Sequence, residues 1–158
     1  MFDLFTILLF LHVLGAIVAF GPGFAAMIVG PMAAKEPQYA NFYARTQVAA
    51  GRKLVTPVSI TLAITGIGMI VIRGWGTLTG DKHWLEAGIL LYVIAVVVAM
   101  AFQAPAGRRL VELTSQPPVP GAGPSAELRK TAGRVRTGGI VLSVLVVVIT
   151  YLMIAKPF

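Results

Sequence analysis

The stretch Leu11-His12-Val13-Leu14-Gly15-Ala16-Ile17-Val18-Ala19-Phe20-Gly21-Pro22-Gly23 decides the fold. It sits inside an apolar run, residues 2–34, whose only ionisable side chains are Asp3 and His12. Apolar runs of about 18 residues or more name the bilayer as solvent. At 1.5 Å per residue a helix over about residues 4–33 exceeds the roughly 30 Å hydrocarbon core, so it must tilt, kink or project beyond it. Gly21-Pro22-Gly23 is the expected kink, because Pro22 lacks a backbone donor and clashes with the preceding turn. Pro31 and Pro37 punctuate the exit. His12, Gly15, Ala16, Ala19, Gly23, Ala26 and Gly30 recur at spacings of three and four and share one face. Small residues let a second helix backbone come close, which matters in lipid because no hydrophobic effect drives helices together.

The whole chain agrees with this reading. Of its 158 residues, 57% are hydrophobic and 12% charged, with a mean hydropathy of +0.84. A soluble domain of that size has too little interior for so much apolar surface. The formal net charge is +7. Its basic residues lie between apolar runs, so the positive-inside rule accounts for them and no nucleic-acid partner is expected. With no cysteine, disulfides, thiolate metal sites, iron–sulfur clusters and covalently attached haem are excluded. Asp3 stands where a secretory signal carries a basic residue, so the first run is read as a retained helix.

Three further apolar runs follow, at about residues 54–72, 84–102 and 137–155. Before the second, Tyr39, Phe42 and Tyr43 fall at helical spacing among Lys35, Glu36, Arg45, Arg52 and Lys53. This segment reads as a surface amphipathic helix or as an extension of helix two. Helix two is rich in small and hydroxylated residues (Thr56, Ser59, Thr61, Thr65, Gly66, Gly68), which bond to backbone or to a neighbouring helix. Trp75 and Trp84 flank a short turn as expected for interfacial anchors, and Glu86 lies in the first turn of helix three, where the helix dipole favours an acid. Arg108 and Arg109 are placed on an extension of helix three. Residues 116–125 form a flexible proline- and glycine-rich linker, and a basic segment precedes helix four. That last helix, almost purely Val, Leu and Ile, is expected to face lipid more than the others.

The predicted architecture is all-α: a polytopic membrane protein with one four-transmembrane-helix up-and-down bundle spanning residues 1–158. The linkers after helices one and three hold Lys35, Arg45, Arg52, Lys53 and then Arg108, Arg109, Arg129, Lys130, Arg134, Arg136, against Arg73 and Lys82 in the turn after helix two. The larger linkers are therefore expected in the cytoplasm and both termini outside, in a bacterial inner membrane.

His12 is the first candidate for chemistry, about 12 Å into helix one by the helical rise. An ionisable residue at such depth is a functional hypothesis: a haem or metal ligand, or a proton carrier. The structural alternative is a neutral imidazole bonded to a Ser, Thr or Tyr of the next helix and packed over the small-residue stripe. His83 and Glu86, three apart, share a face. With His12 they define a candidate polar cluster, to which Asp81 would add a metal-binding oxygen, although surface anchoring also explains them. No nucleophile–base arrangement, paired carboxylate or phosphate loop is present, so no catalytic residue is assigned. No acid lies mid-membrane, which counts against an ion-coupled transporter.

Leu11-His12-Val13-Leu14-Gly15-Ala16-Ile17, Thr65-Gly66, Trp84-Leu85 and Ala104-Pro105…Arg108-Arg109-Leu110 resemble the bacterial integral membrane proteins of the domain of unknown function 2269 family. That resemblance covers most of the chain and implies no known activity. Helix one is more loosely similar to four-helix haem-binding protoporphyrinogen oxidases and copper-resistance membrane domains. In the oxidase-like family the histidine binds haem, which implies haem b on His12. The sequence departs from that pattern in Ala19-Phe20-Gly21-Pro22, where a tryptophan and glycines are expected, and in having no second intramembrane histidine.

The leading functional expectation is a membrane scaffold or accessory subunit. It would work through helix–helix contacts at Gly15, Ala19, Gly23, Ala26 and Gly30, with the lipid bilayer and a second copy or another membrane protein as partners. The alternatives are a b-haem redox protein using His12, and a small-solute transporter or oligomeric channel.

Overall fold

The structure, a computed structural model, describes residues 3–74, 82–116 and 123–157. Trp75 and Asp81 lie outside the described residues, as do residues 117–122 of the linker. Four long helices make up the fold: α1 (Leu4–Lys35), α2 (Pro37–Ile72), α3 (His83–Leu113) and α4 (Ala126–Ala155). There is no strand among the described residues.

Local chemistry sets the ends. Asp3 caps α1 by accepting from the Thr6 amide at 2.9 Å, and the Thr6 hydroxyl bonds the same carboxylate. This holds the Asp3 carboxyl below its ordinary range, chiefly through the Thr6 side-chain bond and then the amide bond. Pro22 and Pro31 both lie inside α1, which stays helical through them. The helix stops at Glu36, whose φ/ψ of −124°/76° is non-helical. The cause is Pro37, which pushes the residue before it out of the α region and then serves as the first residue of α2. Gly74 closes α2 at φ +61°, a left-handed position that a glycine adopts without strain. Ser125 caps α4 by accepting from the Leu128 amide at 3.1 Å.

α2 and α3 each contain one π-helical turn, Gly51–Val55 and Val98–Gln103. Each lies two residues before a proline, Pro57 or Pro105. A proline removes one i→i−4 donor and crowds the carbonyl one turn back. Widening the preceding turn gives that carbonyl room, and the helix continues. Pro57 and Pro105 thus bend the ladder locally without ending either helix.

The helices run up and down. Early α1 meets late α2 at His12 and Thr65, and early α2 meets late α3 where the Asn41 amide donates to the Val111 carbonyl at 3.0 Å. Gly88 of early α3 lies against Met153 of late α4. α1 packs most extensively on α2 and also on α4, and α3 packs on α4. The bundle interior is thin: its apolar core includes Ala19, Leu62, Trp84, Leu85, Ala95, Val146 and Leu152. Large apolar side chains instead cover the outside; Ile28 is 70% and Ile154 77% exposed. In water this surface would drive aggregation; with four helices long and apolar enough to cross a bilayer, it is lipid-facing.

One open choice is settled and two expectations change. The segment before α2 is continuous with it, so the extension reading holds. The basic stretch at residues 126–136 is helical, part of α4. Ser125 caps it, Glu127 sits in its first turn, and no proline interrupts it, so its charges ride on a helix that packs on the end of α3, with Thr131 buried. α4 is also the least lipid-exposed span, with 17% of its apolar window buried against 6–11% for the others. A helix that is apolar all round carries no stripe to say which face is inward, and its buried residues include Ser143 as well as Val146 and Leu152.

Candidate functional site

His12 is half-buried on α1, facing α2. Its Nδ1 lies 3.0 Å from Oγ1 of Thr65. The Thr65 hydroxyl is 2.8 Å from the Thr61 carbonyl and 3.1 Å from that of Leu62, one turn back on its own helix. A hydroxyl has one proton. With that proton on a backbone carbonyl, the bond between helices runs from Nδ1–H of His12 to Oγ1. The neutral ring then keeps Nε2 unprotonated.

Gly66 follows Thr65 and makes room for the ring. A Cβ at Gly66 would stand 3.3 Å from Cε1 of His12. One turn along α1, a Cβ at Gly15 would stand 3.4 Å from Cγ of Leu62 and 3.5 Å from Cγ1 of Val58. Ala19 is buried at 3% exposure. Near the other end, the Tyr43 hydroxyl of α2 reaches the Ala26 carbonyl at 3.4 Å, and Gly30 leaves space for that same hydroxyl. Gly15, Ala19, Ala26 and Gly30 therefore lie at or near contacts within the chain. Gly23 differs: it is exposed, with Ser143 Oγ of α4 3.9 Å from where its Cβ would be.

His83 and Glu86 pair with each other at 3.4 Å, on an exposed part of α3. His12 is bonded to Thr65 instead, and among the described residues no three His, Asp or Glu side chains form a group that could hold a metal. Trp84, expected at the interface, is only 8% exposed. Its ring is covered in part by Lys156, whose ammonium lies 5.3 Å from the ring centroid at the end of α4.

Three polar contacts were not foreseen in the sequence. The Tyr92 hydroxyl donates to the Ser59 carbonyl at 2.6 Å, tying α3 to α2. Gln103 donates from Nε2 to the Val135 carbonyl at 3.1 Å, while its Oε1 is buried without a partner beside Gly138. Arg109 on α3 binds Glu112 at 2.8 Å and Glu127 of α4 at 2.6 Å. For Tyr92 and Gln103 the only advance signal was residue type, an aromatic hydroxyl or amide in an apolar run, and for Arg109 its place on the charged extension of helix three; the partners depend on the register between helices.

Residues 6–157 match the family model described as predicted integral membrane protein (DUF2269), and the chain belongs to that family. The match takes in all four helices. No curated protein and no solved structure matches the chain, so the looser likeness to haem-binding and copper-resistance domains gains no support.

Proposed function

We propose that this member of the family is a small bacterial inner-membrane scaffold or accessory subunit that holds a partner helix against α1. The observation behind this is how the small residues of α1 are divided. Gly15 and Gly30 are filled by the chain's own α2, from Leu62 and Tyr43. Gly23 is left exposed. Beside it Phe24 and Met27 of α1 and Ser143, Val144 and Val147 of α4 frame a shallow groove of about 230 Å³. In lipid, a gap made by a small residue between larger apolar ones is where another helix approaches closely. Ser143 adds a hydroxyl that can bond across such an interface. The partner is a second copy or another membrane protein.

The test uses the cysteine-free background. Gly23→Cys, Val144→Cys and Gly15→Cys are each crosslinked in native membranes. Covalent adducts with a second polypeptide are expected at positions 23 and 144 and not at 15. Adducts at none of the three, or equally at 15, would overturn the reading.

A second reading, b-haem bound through His12, is supported by Thr65. A hydrogen bond on Nδ1 fixes ring orientation and leaves Nε2 as the nitrogen that would bind iron, as outer-shell partners of ligand histidines do. Haem would supply one-electron chemistry to the bundle. A Soret band in haem-replete wild type that disappears in His12→Ala would establish this reading; wild type without a band would end it.

A further inference from the structure

The hairpin between α1 and α2 carries an acid, Glu36, without an ion-pair partner among the described residues. At that end of the bundle, tied together by Asn41 and Val111, the described acids are Glu36, Glu112 and Glu127. Arg109 binds both Glu112 and Glu127. Glu36 has no ion pair among the described residues, although the segment around it is rich in basic residues. It opens into a groove of about 450 Å³ between the last turns of α1 and the first turns of α2. Tyr39, Phe42 and Tyr43 line the same groove, with Tyr39 56% and Phe42 66% exposed.

Glu36 lies at the hairpin end of the groove, Val29 and Met32 line its α1 side, and Thr46 and Gln47 line its α2 side. A carboxylate that shares a groove with three aromatic rings favours a cation, by direct charge attraction and by cation–π attraction. A long apolar floor adjoining that cation site selects an amphiphile. We propose that this groove binds phosphatidylethanolamine, with the lipid's primary ammonium on Glu36 among the aromatic rings and an acyl chain along Val29 and Met32. The discrimination rests on the ammonium: an anionic lipid such as phosphatidylglycerol has none to place on Glu36. This proposal is independent of the helix-docking surface at Gly23.

The experiment is native mass spectrometry of the detergent-purified full chain with equal amounts of phosphatidylethanolamine, its N-acetylated form and phosphatidylglycerol. Wild type is expected to retain phosphatidylethanolamine about tenfold over either competitor, from one charge pair reinforced by aromatic faces. Glu36→Gln should bring the three lipids to parity, and Phe42→Leu should reduce the preference about threefold. Glu86→Gln, an acid at the opposite end, should leave it unchanged. Thermal unfolding of each variant confirms that it is folded, which exposed substitutions allow. Equal retention of the three lipids by wild type, or an undiminished preference in folded Glu36→Gln, would overturn the proposal. Retention of the N-acetylated lipid at the level of phosphatidylethanolamine would do so too, because the ammonium would then play no part.

Discussion

His12 of α1 and Thr65 of α2, 53 residues apart in sequence, stand with Nδ1 and Oγ1 3.0 Å apart. This contact fixes the register of the two most closely packed helices. It places an imidazole where a helix without a partner would leave a polar group facing hydrocarbon. Removing either partner is expected to destabilise the bundle, and the double mutant His12→Ala/Thr65→Val should cost less than the sum of the two. Hydrogen bonds between membrane helices are worth about 0.5–2 kcal/mol, so the coupling energy should fall in that range. Unfolding in mixed detergent micelles measures it, and strictly additive single mutants would show that the pair carries no stability.

Gly66 tests the same interface by volume. Its Cβ would meet the His12 ring at 3.3 Å, a distance at which the ring must yield. Gly66→Leu is expected to cost about 1–3 kcal/mol by overpacking. Gly133 offers the contrast. It lies on the polar part of α4 with nothing within 4 Å of a Cβ. Gly133→Ala should stabilise the chain by about 0.5–1 kcal/mol, the helix-propensity gain alone. Thermal unfolding of both variants should therefore move in opposite directions.

What was legible in the sequence followed from solvent. The runs around His12, Thr65, Leu90 and Val146 are each long enough to demand a bilayer, and hydropathy needs no partner to be read. Pairings were harder. A histidine facing a hydroxyl on the next helix was foreseeable as a type of contact, but choosing Thr65 over Thr61 or Ser59 requires the register of α1 against α2. Residues 126–136 looked like loop because their charges mask a helix that nothing in the sequence breaks. The π turns before Pro57 and Pro105 were hidden because a proline announces a lost hydrogen bond without saying how the helix accommodates it. The buried position of Trp84 was missed because a tryptophan beside a turn has the composition of an anchor whichever way its ring points.

Arg109 ties the end of α3 to the start of α4 through Glu127, with both side chains about half exposed. Exposed pairs are screened and contribute little, so Arg109→Ala is expected to lower the unfolding midpoint only slightly. The loss should shrink further in 0.5 M salt, on the order of three to four times physiological ionic strength. Comparing unfolding of wild type and Arg109→Ala at low and high salt checks this; a salt-independent penalty would mean that Arg109 acts through packing of its aliphatic stem.

Gln103 and Gly138 offer the sharpest test of how α3 meets α4. The Gln103 amide donates to the Val135 carbonyl at 3.1 Å, and its oxygen is buried against Gly138, where a Cβ would overlap it. The side chain is held by one hydrogen bond while its other polar atom is unsatisfied, so its net contribution is small. Gly138→Ala alone should cost about 1–3 kcal/mol, because the glutamine must leave its site or the helices must part. Gln103→Ala alone should cost less, since it removes an orphaned oxygen along with the bond. The combination should recover most of the Gly138→Ala penalty, because the methyl group then enters space the amide has vacated. Recovery in the double mutant would show that the close approach of Gln103 to α4 sets the requirement for glycine. A double mutant as unstable as the sum of the singles would place that requirement in the backbone of α4 itself.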